Sequence, residues 1–152
     1  MGGSQDGRII DESALRRLVL QYASAVDRND PELFASIFVE DAVVEGPGFR
    51  FDGRPRLREV PGQLARDFRG TMHCVFNQLV TIEGDAARGE TYCIAYHGIV
   101  GEDGRPGTLD WAIRYQDRFT RQAGEWKIAY RRLVVEWTRT GPVEHLPEGR
   151  RD

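Results

Sequence analysis

Three histidines, His73, His97 and His145, and two aspartates in "AVDRNDPELF", Asp27 and Asp30, are the residues of this chain placed to do acid–base chemistry. The aspartates part on local grounds. Asp30 directly precedes Pro31, where a carboxylate accepts backbone N–H bonds as a helix N-cap and proline suits the first helical position. Asp27 falls in the last turn of the preceding helix, where the helix dipole disfavours a carboxylate by about a few tenths of a kcal/mol. It also follows Val26 on the apolar side, so it needs a donor. An arginine in a structural ion pair or plain solvation is one answer; a histidine is the other.

His73 lies on an expected strand that alternation divides into His73, Val75, Asn77 and Leu79 on one face and Met72, Cys74, Phe76 and Val80 on the other. His97 ends the next strand, on the face of Gly89, Thr91, Cys93 and Ala95. A row of small side chains ending in a histidine implies space above the sheet, for a packed helix or for a ligand. His145 lies in the tail, away from this face. A buried carboxylate that accepts the Nδ1 proton of an imidazole fixes its tautomer and leaves Nε2 as a general base. An aspartate at a helix end and a histidine on a strand facing the same cavity can form that pair.

Other chemistries read poorly. No His-x-His or His-x-x-x-His spacing suggests a metal site. Ser13, Ser24 and Ser36 fall in helices without a nucleophile elbow. The glycine-rich stretches are hairpin turns with no dinucleotide or P-loop pattern, so no cofactor is expected.

The elements that must position these residues are helices first, strands after. In "DESALRRLVLQYASAV" the apolar Leu15, Leu18, Val19, Tyr22, Ala25 and Val26 recur at three- and four-residue steps, with Asp11 or Ser13 able to cap the start. "PELFASIF" repeats the helical spacing. "DAVVEGPGFRFDG" reads as two short strands about a turn, and "RPRLREVPGQLARDF" as helix that Pro61-Gly62 breaks or kinks. From Thr71 the period becomes two, in four long β-branched and aromatic runs separated by "EGD", "GEDGRPG" and "QAG". The expectation is an α+β fold, helices on one face of a curved, mainly antiparallel sheet. It forms a single domain over 1–152, with an ordered core of about 12–138 and a loop-like tail over 139–152.

Composition bounds the partners. The net charge of −3, with 20 scattered arginines and Lys127 as the one lysine, argues against nucleic acid, which requires a clustered basic face. No window approaches the roughly 20 apolar residues of a membrane helix. "MGGSQDGRIIDES" has no secretory pattern, so Cys74 and Cys93 are expected as free thiols and the protein as cytoplasmic.

The segments "LRRLVLQYASAVDRNDPELFASIFVEDAVVEG", "MHCVFNQLVTIEGDAARGETYCIAYH" and "RYQDRFTRQAGEWKIAYRR" together resemble the SnoaL-like branch of the NTF2-like superfamily. The resemblance runs from about Ala14 to Trp137 and implies a cone of helices packed into a bent sheet. It is strongest, at the chemical positions, to scytalone dehydratases and hexachlorocyclohexane dehydrochlorinases. In those, an aspartate ending the first helix orients a sheet histidine as general base. Asp27 and His73 fall on these positions, Asn77 matches the dehydrochlorinase asparagine, and His97 matches a second dehydratase histidine. The chain departs at Val26, Gly46 and Tyr115, where the dehydratases have two tyrosines and an asparagine, and at Glu136 in place of the dehydrochlorinase arginine.

The resemblance therefore implies a cofactor-independent lyase, a dehydratase first. Asp27, His73 and His97 are its catalytic candidates, with His97 and a tyrosine stabilising an oxyanion or protonating the leaving hydroxyl. Tyr22, Asn77, Tyr115, Arg132 and Glu136 are the candidate substrate contacts. The expected substrate is an apolar cyclic or polycyclic small molecule. An isomerase or cyclase using the same base, and a non-catalytic binding or assembly subunit, are the competing readings. A curved sheet with an apolar outer face also predicts a homodimer or homotrimer.

Overall fold

The computed structural model describes residues 5–148. Four helices, α1 (Gln5–Asp27), α2 (Pro31–Ser36), α3 (Arg54–Leu57) and α4 (Val60–Asp67), pack on one six-stranded sheet. Its strands are β1 (Phe38–Gly46), β2 (Phe49–Asp52), β3 (Thr71–Glu83), β4 (Ala86–Val100), β5 (Pro106–Gln122) and β6 (Glu125–Pro142), in the order β2-β1-β6-β5-β4-β3. All neighbours are antiparallel except β1 and β6. The fold is α+β, as the helix-then-strand order predicts.

The apolar stripe of α1 is the one the 3.6-residue period picks out: Leu15, Leu18, Val19, Tyr22, Ala25 and Val26 are all buried. The helix is already formed at Gln5, the first described residue, ahead of either expected cap. Asp11 instead accepts hydrogen bonds from Arg121 Nη2 (2.8 Å) and Trp126 Nε1 (2.9 Å), tying α1 to the β5–β6 end of the sheet.

Its C-terminus is set by Asn29, which adopts the left-handed conformation (φ 52°). Asn29 N–H then donates to the Val26 carbonyl (3.1 Å) and Asp30 N–H to the Ala25 carbonyl (2.8 Å), a Schellman closure. This stops the helix with Asp27 as its last residue. Asp30 caps α2 as expected, accepting from Leu33 N–H at 2.9 Å, with Pro31 following in the first turn.

Three further expectations change. Pro61 does not break a helix; it stands in the first turn of α4, and the break lies at Arg58 and Glu59 between α3 and α4. Proline lacks an N–H, and the first turn is where none is needed. The strand β6 runs to Pro142, because Thr138–Pro142 continue the ladder with β5 down to Gly107↔Pro142. Regular structure thus spans Gln5 to Pro142, wider than 12–138.

The third change is in β3. Val75 pairs with Cys93 but Gln78 pairs with Thr91, so one extra residue is accommodated at Phe76–Asn77 as a bulge. A one-residue insertion reverses the parity of every later side chain. His73 and Val75 face the helices before it; Val80 and Ile82 pack against the core after it, while Leu79 is 79% exposed. Arg16 of α1 donates to the bulged Phe76 carbonyl. The outer face of the sheet shows Met72, Phe76, Tyr92 and Trp137 to solvent.

Candidate active site

Between the sheet and α1–α4 lies a cavity of about 200 Å³. Its walls are aliphatic and aromatic, with Phe34, Phe49, Phe51, Phe68 and Trp111 prominent, and among the described residues no Arg, Lys, Asp or Glu lines it. The side chains on the wall that carry a hydrogen-bonding group are His73, His97, Tyr22, Tyr115, Gln63 and, through its indole N–H, Trp111.

Asp27 and His73 meet at its edge. His73 Nδ1 is 2.7 Å from Asp27 Oδ1, Thr71 Oγ1 donates to the same oxygen at 2.8 Å, and His73 backbone N–H donates to Oδ2 at 2.9 Å. The last bond exists because β3 is the final strand of the sheet, so the outward N–H groups of its inner stretch have no strand partner. A helix that ends at Asp27 and an edge strand with a free N–H thus meet at one carboxylate. Burial raises the carboxyl pKa, but the hydrogen bonds from His73 and Thr71 outweigh it and hold Asp27 below the ordinary carboxylate range. An ionised carboxylate only accepts, so Nδ1 of His73 carries a proton, and in the neutral ring this tautomer leaves the lone pair on Nε2.

His97 pairs with Thr71 across β3–β4, which brings its ring to 6.0 Å from that of His73. Phe68 and Trp111 flank it at 4.6 and 5.7 Å. Its Nδ1 lies 2.9 Å from the Leu109 carbonyl, which again only accepts. Nδ1–H therefore donates to Leu109, and the neutral ring offers a second bare Nε2. Burial, reinforced by the neighbouring His73, pushes the His97 pKa below the ordinary imidazole value. The neutral form is favoured, so His97 is a hydrogen-bond acceptor at rest. That differs from the acid or oxyanion role expected of it.

Tyr22 and Tyr115 reach the wall from α1 and β5, with burial raising the pKa of both. Tyr115 donates to Cys93 Sγ at 3.6 Å, and Cys93 itself is pushed by burial up to about 11. Behind them sits Arg131, its guanidinium 4.2 and 4.1 Å from the two ring centroids and bonded to Asp117.

The remaining candidates lie elsewhere. Asn77 is exposed, because the bulge turns it out of the His73 face. Arg132 follows the buried Arg131 and alternation sends it to the outer surface, where it is exposed. Glu136 is exposed as well and pairs with Arg114 at 2.9 Å. None of the three lines the cavity. Gln63 is the polar wall residue that sequence reasoning missed; the available signal was a glutamine on the same helical face as Val60 and Leu64.

A SnoaL-like domain model matches residues 7–132. The chain belongs to the SnoaL-like family. Among solved structures it is similar to a protein of unknown function from Mycobacterium tuberculosis, at 31% identity over 88% of this chain and 76% of that one, TM-score 0.77. It is also similar to a protein assigned as a scytalone dehydratase from Novosphingobium aromaticivorans, at 27% identity over 97% and 99%, TM-score 0.79. A hexachlorocyclohexane dehydrochlorinase, LinA-type3 from Novosphingobium barchaimii, shares the fold at 18% identity over 95% and 97%, TM-score 0.79. No helix among the described residues is long and apolar enough to cross a membrane.

Proposed function

We propose that this SnoaL-like protein is a cofactor-independent lyase that dehydrates a neutral one- or two-ring β-hydroxy carbonyl compound. The observation that carries the reading is the Asp27–His73 hydrogen bond at the edge of an apolar cavity. The names of the dehydratase and dehydrochlorinase neighbours agree with it.

His73 Nε2 removes the proton on the carbon next to the carbonyl, and Asp27 holds the imidazolium that forms. Its electron pair moves into the carbonyl as an enolate. The enolate then expels the β-hydroxyl, which takes the same proton back from His73 and leaves as water. His97 accepts a hydrogen bond from that hydroxyl and turns its oxygen lone pair toward His73. No external acid is needed, which suits a site whose second histidine is neutral. The uncharged lining favours a neutral substrate. A cavity of about 150 Å³ holds benzene, so about 200 Å³ suits one or two rings and not a larger polycycle.

The test is turnover of a panel of cyclic β-hydroxy ketones, followed by mass. The wild type should release products lighter by one water. His73→Ala and Asp27→Asn should be slower by about 10²- to 10⁴-fold, the range for a lost general base, while remaining folded. Products of unchanged mass would make the protein an isomerase using the same base. A folded, fully active His73→Ala protein would overturn the mechanism.

A further inference from the structure

We propose that Gln63 is the substrate-anchoring residue for the carbonyl group, donating from its side-chain amide to the oxygen that becomes the enolate. The inference rests on the dehydration reading for the role of that oxygen, though not for its binding.

An enolate needs a hydrogen-bond donor at its oxygen. His73 and His97 both present lone pairs at rest, because their Nδ1 protons are given to Asp27 and to the Leu109 carbonyl. The Tyr115 hydroxyl donates to Cys93. Tyr22 is wedged against Phe34, Tyr115 and the Arg131 guanidinium, and Trp111 brings one N–H on a ring packed edge-on against His97.

Gln63 is differently placed. With Val60 and Leu64 it forms the cavity-facing stripe of α4, at the i, i+3, i+4 spacing where an apolar residue belongs. It is half-buried, and among the described residues its side-chain amide forms no hydrogen bond, while its backbone N–H donates to the Glu59 carbonyl. A polar side chain in an apolar stripe, on a cavity wall and without a protein partner, is suited to a ligand. The carboxamide brings two N–H donors and no charge, which matches a neutral carbonyl.

The probes are 1-tetralone and its hydrocarbon counterpart tetralin, which differ in the carbonyl. Dissociation constants for both are measured by calorimetry on the intact protein. The wild type should prefer the ketone by about fivefold, within the range of one neutral hydrogen bond. Gln63→Leu should abolish the preference while binding tetralin as well as the wild type does. Gln63→Glu keeps the shape and removes the N–H donors at neutral pH, so it should abolish the preference too, which a packing role would not. Trp111→Phe and Tyr22→Phe should retain it.

A wild type without the preference, or either Gln63 variant that keeps it, overturns the proposal. Binding needs no turnover, so this result is independent of the His73→Ala experiment. Preference intact in wild type with His73→Ala fully active would sink the base and keep the anchor; the converse would do the reverse.

Discussion

Two of the acid–base pairs that join elements of this protein are built to opposite ends. Asp117 and Arg131 sit directly opposite each other on β5 and β6, both side chains fully buried. They are joined by two bonds of 2.8 Å, with tyrosine rings on the guanidinium. Burial disfavours the arginine charge, yet Asp117 more than restores it and raises the pKa further. Asp27 and His73, 46 residues apart, join a helix end to a sheet edge at side-chain exposures of 22% and 6%. In the first pair each carboxylate oxygen accepts one bond from the guanidinium, through Nε and Nη2, and the remaining Nη1 is buried without a hydrogen-bond partner among the described residues. In the second the carboxylate takes three bonds and the imidazole keeps one nitrogen free. A group can react only with what reaches it, and His73 lines the cavity while Asp117 and Arg131 are sealed away from it, so the open pair is the chemical one and the closed pair is structural.

The largest effect that tests this contrast is on stability. Asp117→Asn leaves a buried guanidinium without its counter-charge and should cost about 3–5 kcal/mol. That is a large part of the roughly 5–15 kcal/mol that holds an ordinary domain together. Asp27→Asn, whose site is partly open, should cost less than half as much, while its turnover falls as stated above. Urea unfolding of both variants checks the difference. Equal losses would mean that the two pairs are not distinguished by closure.

A smaller effect comes from His97. Its pKa in the folded protein is below the ordinary value of about 6.5. Between the two values the unfolded chain binds a proton that the folded protein does not. Stability therefore falls as pH drops through about 6.5 toward the folded pKa. Asp27 is depressed below the ordinary carboxylate range, so its contribution is lost only at lower pH, below about 4. Unfolding between about pH 7.5 and 5.5 avoids the carboxylates, and comparison with His97→Gln isolates this imidazole from His73 and His145. The wild type should lose stability more steeply than His97→Gln, and parallel slopes would refute a neutral, buried His97.

What could be read from the chain follows from which forces are local. The α1 stripe obeys a period, and Asp30 obeys capping, so both were legible. Asp27 was legible as a misfit: the dipole disfavours it, and the structure supplies three donors. The left-handed Asn29 that ends α1 was not recognised, although asparagine is a residue that tolerates that conformation. The parallel β1–β6 pairing joins strands distant in sequence and has no turn to announce it. The bulge was hidden for another reason. An extra residue leaves alternation intact on each side and only reverses its sense, so the pattern around Asn77 looks regular while its direction changes. Gln63 lay in a stretch expected to break at Pro61, and its helical face could be assigned only once α4 was seen to start at Val60.

The smallest expected effect concerns that bulge and the outer face. Asn77→Ala, Arg132→Ala and Glu136→Ala should each leave turnover and ketone preference within about twofold and stability within about 0.5 kcal/mol. The Glu136–Arg114 pair, with both side chains 42% exposed, is a surface ion pair of little net worth. Asn77 is the most informative of the three. Without the bulge it would stand two pairs along from His73 on the same face, where a carboxamide could bond to a substrate. With the bulge it points to solvent, and Val80 and Ile82 take the inner face in its place. A tenfold loss of turnover in Asn77→Ala would therefore mean that β3 runs in the unbroken register. The inner and outer faces beyond Val75 would then have to be exchanged.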